Sequence, residues 1–95
     1  MHEYKVNLEV LDYAIILDKN KKIYSVKTQN NNLEWIRGLS DFYIKQLTRA
    51  LRIMLLYEPE KFKELFLILK ENDSEMFPYA EMAINESIWN EGTQS

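Results

Sequence analysis

The chain has no cysteine, so disulfides, thiolate nucleophiles and cysteine-based zinc sites are all excluded, and nothing points to an oxidising compartment. It has one histidine, His2, at a terminus, which removes histidine triads and histidine-based metal sites. The two glycines, Gly38 and Gly92, are too few and too far apart to make a phosphate-cradling loop. Apolar runs such as Ile53–Leu56 fall far short of the ~20 residues that cross a bilayer. The N-terminal MHEYKVNLEV carries Glu3 and no apolar stretch of signal-peptide type. The expectation is a soluble, cytoplasmic protein with no membrane association, in the host cytoplasm if phage-encoded.

What is present suits one small globular domain over 1–95. Of 95 residues, 46% are apolar and 28% charged, enough apolar content to oppose disorder. Charge is unevenly placed. Residues 1–57 hold nine Lys or Arg against six Asp or Glu, a net of +3; residues 58–95 hold three against nine, a net of −6. Nine isoleucines, nine lysines and eight asparagines against four alanines suggest A/T-rich codons, as in a low-GC genome or a mobile element.

Tyr4, Val6, Leu8 and Val10 alternate with Lys5, Asn7 and Glu9, the period of a half-buried strand. YAIIL (13–17) and IYSVKT (23–28) are rich in β-branched and aromatic residues and flank the polar DKNKK, a hairpin pattern. Between Leu11 and Tyr13 little turn chemistry is visible. One strand bent near Asp12 or two strands fit, and a helix through Val6, Val10, Ala14 and Leu17 also has the right spacing. From Leu33 the period turns helical. Leu33–Gly38 reads as a short helical turn, Ser40 as an N-cap, and 41–57 as a helix stopped before Pro59. Pro59 opens a second helix to about Lys70 with Phe62, Leu65, Phe66 and Leu69 inward. A third runs to about Glu91, with Tyr79, Ala80, Ala83, Ile84 and Ile88 inward and either Asp73 or Ser74 as its cap. The fold class is therefore α+β: an N-terminal β-hairpin or small antiparallel sheet (1–29), then three α-helices (33–91), then a frayed tail (92–95).

On the 41–57 helix, Lys45, Arg49 and Arg52 follow one another at spacings of four and three, so they share one edge. Apolar residues fill the opposite side, and a buried helix forces its cations into such a line whatever its function. Phe42 and Leu56 fall on the same edge as the cations. Either the hairpin or the C-terminal segment covers them, or they belong to a partner or self-association surface. The cluster Glu71, Asp73, Glu75 lacks the central glycine and twelve-residue pattern of a calcium loop and reads as an interhelical loop. No serine has a base in an identifiable motif, and no catalytic set, metal site or cofactor is expected.

These features favour a non-catalytic protein-binding module of inhibitor, adaptor or immunity type, an accessory protein of a phage or mobile element acting on a larger protein target. Its partner-binding candidates are Glu75, Glu81, Glu86, Trp89 and Glu91, acids that would face a basic surface. The alternative is a small dimeric nucleic-acid-binding regulator using Lys19, Lys21, Lys22, Lys45, Arg49 and Arg52. The formal charge of −3 and the calculated pI near 5.2 count against nucleic acid. Association as a homodimer is compatible with either reading.

Overall fold

The computed structural model describes residues 4–8 and 12–93, without the side chains of 7, 8 and 87–93. Four antiparallel strands form a meander in chain order: β1 (Tyr4–Leu8), β2 (Tyr13–Leu17), β3 (Ile23–Thr28) and β4 (Glu34–Ile36). Three helices follow, α1 (Tyr43–Tyr57), α2 (Pro59–Asn72) and α3 (Phe77–Thr93). The α+β arrangement read from the sequence is the one observed.

The ambiguity around Asp12 resolves into two strands. β1 pairs with β2 from Tyr4↔Leu17 to Leu8↔Tyr13. Asp12 turns the chain with a left-handed φ of 68°, a conformation that Asp tolerates better than most residues. Its carbonyl accepts the Gln29 N–H at 2.9 Å and its Oδ2 accepts the Asn30 N–H at 2.9 Å, so the turn is tied to the far end of β3. At the β2–β3 turn, Asp18 Oδ1 accepts the N–H groups of Asn20 and Lys22 at 2.8 and 3.1 Å. Asp folds back on its own backbone in this way wherever a polar turn is needed.

Leu33–Gly38 is not a helical turn. Glu34–Ile36 forms β4 and pairs with β3 through Ser25↔Ile36, Val26↔Trp35 and Lys27↔Glu34. A single isolated turn of helix has too few hydrogen bonds to offset its ordering, whereas the open edge of β3 offers partners at once. Thr28 also closes the connection, its N–H donating to Leu33 O at 2.8 Å and its Oγ1 accepting the Leu33 N–H at 3.1 Å. Gly38 then reverses the chain with φ +81°.

Helix α1 begins two residues later than expected. The Ser40 hydroxyl accepts the Phe42 N–H at 3.2 Å, in a turn ahead of the helix, and Phe42 occupies the cap position with no side-chain cap bond. Pro59 opens α2 as expected, where its missing N–H costs nothing. α3 continues to Thr93, two residues past the expected end at Glu91 and through Gly92; residues 94 and 95 of the expected frayed tail lie outside the described part.

The core lies between one face of the sheet and α1. Ile15, Leu17, Ile23 and Val26 meet Tyr43, Leu47, Ala50, Leu51 and Met54, and α2 and α3 add Phe62, Leu65, Leu69, Met76, Ala80 and Ala83. Each fully buried aliphatic side chain contributes ~1.5–3 kcal/mol relative to exposure. α1 packs on three strands and on both other helices, which makes it the central element. Of the predicted inward stripes, Leu65, Leu69, Phe62, Ala80 and Ala83 are buried, while Phe66, Tyr79 and Ile84 are half-buried against the core. The Ile88 side chain lies outside the described residues. No helix is long and apolar enough to cross a membrane among the described residues.

Candidate interaction surface

With α1 buried on most of its circumference, only one arc meets solvent. Successive residues turn by about 100°. Phe42, Lys45, Arg49, Arg52 and Leu56, spaced three, four, three and four apart, therefore fall within an arc of about 80°. All five are exposed. Phe42 retains 60% of its accessible surface and Leu56 71%, so among the described residues neither the hairpin nor the C-terminal segment covers them. At 1.5 Å per residue they stand ~21 Å apart along the helix, with the cations between.

The cations are not equivalent. Arg52 Nη2 forms an ion pair with the Glu86 carboxylate of α3, which joins one candidate nucleic-acid residue to one candidate partner residue. Among the described residues, no ion pair involves Lys45 or Arg49. The cleft beside the Arg52–Glu86 pair is lined by Thr48, Arg52, Tyr79, Met82, Ala83 and Glu86 and has room for about one water, too little for a small-molecule pocket. Lys19, Lys21 and Lys22 are exposed in the β2–β3 turn, where Lys21 Nζ lies 6.0 Å over the Tyr4 ring. That contact ties the turn to β1, a different element from the stripe.

The acidic candidates are equally divided. Glu81 is exposed on α3, and Glu75 pairs with Arg37 at 3.3 Å. The side chains of Trp89 and Glu91 lie outside the described residues. An acidic face made of all five is therefore interrupted by two internal ion pairs, at Glu75 and Glu86.

Sequence reasoning missed the most connected polar group. Asp73 is 1% exposed and receives four donors. Arg37 approaches it as a fork, Nη1 on Oδ2 at 2.9 Å and Nη2 on Oδ1 at 3.1 Å. The Ile23 N–H donates to Oδ2 at 2.9 Å, and the Met76 N–H to Oδ1 at 3.3 Å. Arg37 also donates to Ile23 O at 3.0 Å. The cluster thus fastens the α2–α3 connection to the start of β3 and to the segment after β4. Burial works against the Arg37 charge, but the bond to Asp73 and its negative charge outweigh that, and the guanidinium pKa is raised. No local pattern announces the pair, because 36 residues separate its members. Among the described residues, no group of three or more His, Cys, Asp or Glu is placed to hold a metal. Asp73 thus acts as a buried anchor; it ends α2 as its C-cap, and because α3 begins only at Phe77 it closes the turn ahead of that helix through the Met76 N–H rather than capping the helix as expected.

Tyr43, which feels the charges of Arg37 and Asp73, is buried, and its hydroxyl finds no hydrogen-bond partner among the described residues. Burial holds its proton in place and pushes its pKa well above the ordinary 10, an effect the nearby Arg37 charge only partly opposes.

No protein family matches the chain, and neither do any curated protein or any solved structure. No function can be transferred by similarity. On the α1 edge, two exposed apolar residues bracket two cations that have no ion pair among the described residues.

Proposed function

We propose that this protein is a small non-catalytic binding module, of inhibitor, adaptor or immunity type, that docks on a larger protein through the outer edge of α1. The observation that carries this reading is the exposure of Phe42 and Leu56 at the two ends of the stripe. Large apolar side chains at the two ends of one exposed helix edge gain from burial against a partner, and the cations between them supply register and specificity. The uneven charge and the composition rich in Ile, Lys and Asn favour a phage or mobile-element accessory protein working in the host cytoplasm.

A nucleic-acid-binding regulator is the second reading, favoured by the exposed Lys45 and Arg49 on one line. Against it, Arg52 already neutralises Glu86, the whole chain is net negative, and a phosphate backbone offers nothing to Phe42 or Leu56.

The test is an affinity capture from a lysate of the native host, with and without nuclease, comparing the wild-type chain with the variant Phe42→Ser plus Leu56→Ser. A stoichiometric protein prey that survives nuclease and is lost with the variant supports the module. Recovery that depends on nucleic acid and ignores the variant transfers the function to Lys45 and Arg49.

A further inference from the structure

We infer that the partner of the α1 edge is an acidic amphipathic helix, laid along Phe42, Lys45, Arg49, Arg52 and Leu56. The inference rests on the binding-module reading and names the kind of partner. The alternating spacing of three and four is the seam spacing of two helices packed at a shallow angle, in which each side chain meets a gap on the facing helix. A partner helix that presents apolar residues fourteen positions apart would reach both Phe42 and Leu56. Between them it would need carboxylates, because Lys45 and Arg49 have no internal ion pair among the described residues.

The molecule already contains one instance of this chemistry. Arg52, on the same line, is met by a glutamate from a neighbouring helix, Glu86 of α3. An external acidic helix would repeat that contact further toward the start of α1.

A second copy of the chain fits badly. In an antiparallel α1–α1 pair Phe42 would face Leu56, but the two-fold axis would pass through Arg49 and set that cation against itself. A parallel pair would oppose Lys45 with Lys45 and Arg49 with Arg49. Like charges directly opposed at an interface repel, so either arrangement works against association. Charge complementarity therefore selects a partner of the opposite sign.

The probes are two labelled synthetic helical peptides, each carrying leucines fourteen residues apart on one face. One has three glutamates between the leucines at the same three-and-four spacing, and the other has three lysines there. Binding is read by fluorescence anisotropy at low and high salt. The glutamate peptide should bind the native chain and weaken as salt rises. The exposed-site variant Lys45→Glu plus Arg49→Glu, checked for fold by circular dichroism, should lose at least ~10-fold affinity for it. The same variant should gain binding to the lysine peptide. Phe42→Ser plus Leu56→Ser should weaken the glutamate peptide without reversing the charge preference.

Failure of the native chain to bind the glutamate peptide, or equal binding of both peptides, overturns the inference. Tighter binding of a DNA duplex than of the glutamate peptide overturns it in favour of nucleic acid. A dimer in sedimentation that dissociates in the Phe42→Ser plus Leu56→Ser variant overturns it in favour of self-association. If the peptides fail while capture of a protein prey still depends on Phe42 and Leu56, the acidic-helix inference falls and the module stands. Loss of that dependence brings down the module itself.

Discussion

Replacing Asp73 by alanine should cost far more than its position in an interhelical connection suggests. The substitution removes the acceptor of the Ile23 N–H, a buried backbone donor, and leaving such a group unsatisfied costs ~1–3 kcal/mol. It also strips Arg37 of its forked counter-ion. Loss of one member of a fully buried pair costs ~3–5 kcal/mol. Arg37 is 20% exposed and keeps Glu75 at 3.3 Å, so that loss is discounted to about 1–2 kcal/mol. We expect Asp73→Ala to destabilise by about 3–4 kcal/mol in total. A chain of this size has about 5–14 kcal/mol of stability, so the variant should fold but lose a large share of it. Urea unfolding followed by circular dichroism and by tryptophan fluorescence reads this directly. With a slope near 2 kcal/mol per molar, the midpoint should fall by roughly 1.5–2 M. Glu71→Ala, an exposed acid two residues away, should stay within about 0.5 kcal/mol. In a double-mutant cycle with Arg37→Leu, the combined loss should fall short of the sum by ~1–3 kcal/mol, because both changes break the same bonds. A loss below about 1 kcal/mol for Asp73→Ala, or strict additivity with Arg37→Leu, would refute the claim that this carboxylate anchors the helices to the sheet.

Three further outcomes test other parts of the structure. Tyr43 has its pKa raised by burial, so above pH ~10 the unfolded chain releases this proton while the folded chain holds it. That contribution is complete below pH ~10 and is lost as pH rises, by up to ~1.4 kcal/mol per unit; Tyr43→Phe should flatten that part of the stability curve and raise stability by ~1 kcal/mol at neutral pH by removing an unpartnered hydroxyl. Gly38→Ala should cost ~1–2 kcal/mol from its φ of +81° alone, because a Cβ there meets nothing within 4 Å, and thermal unfolding measures it. Leu47→Ala, at the fully buried centre of α1, should cost ~2–5 kcal/mol in urea unfolding, whereas Leu56→Ala on the same helix should stay within about 0.5.

Much of the architecture was legible from local signals. The two-residue alternation of Tyr4–Leu8, the β-branched runs around DKNKK, and Pro59 opening a helix all act over a few residues, where side-chain period and backbone restriction decide the outcome. The line of Lys45, Arg49 and Arg52 was visible for the same reason, since helical spacing sets it. β4 was not visible, because Glu34-Trp35-Ile36 is too short to have a period and takes its conformation from the edge of β3.

The sequence by itself determined which segments could be strands and helices, and which edge of α1 could be wet. Only the tertiary structure decided which charges are committed. It spent Glu86 on Arg52, Glu75 on Arg37, and buried Asp73 under four donors drawn from positions as much as 50 residues away. It also left Phe42 and Leu56 exposed. Local spacing sets the direction of a side chain relative to its own helix. What stands opposite that side chain depends on how distant elements pack, and no short stretch of sequence encodes that.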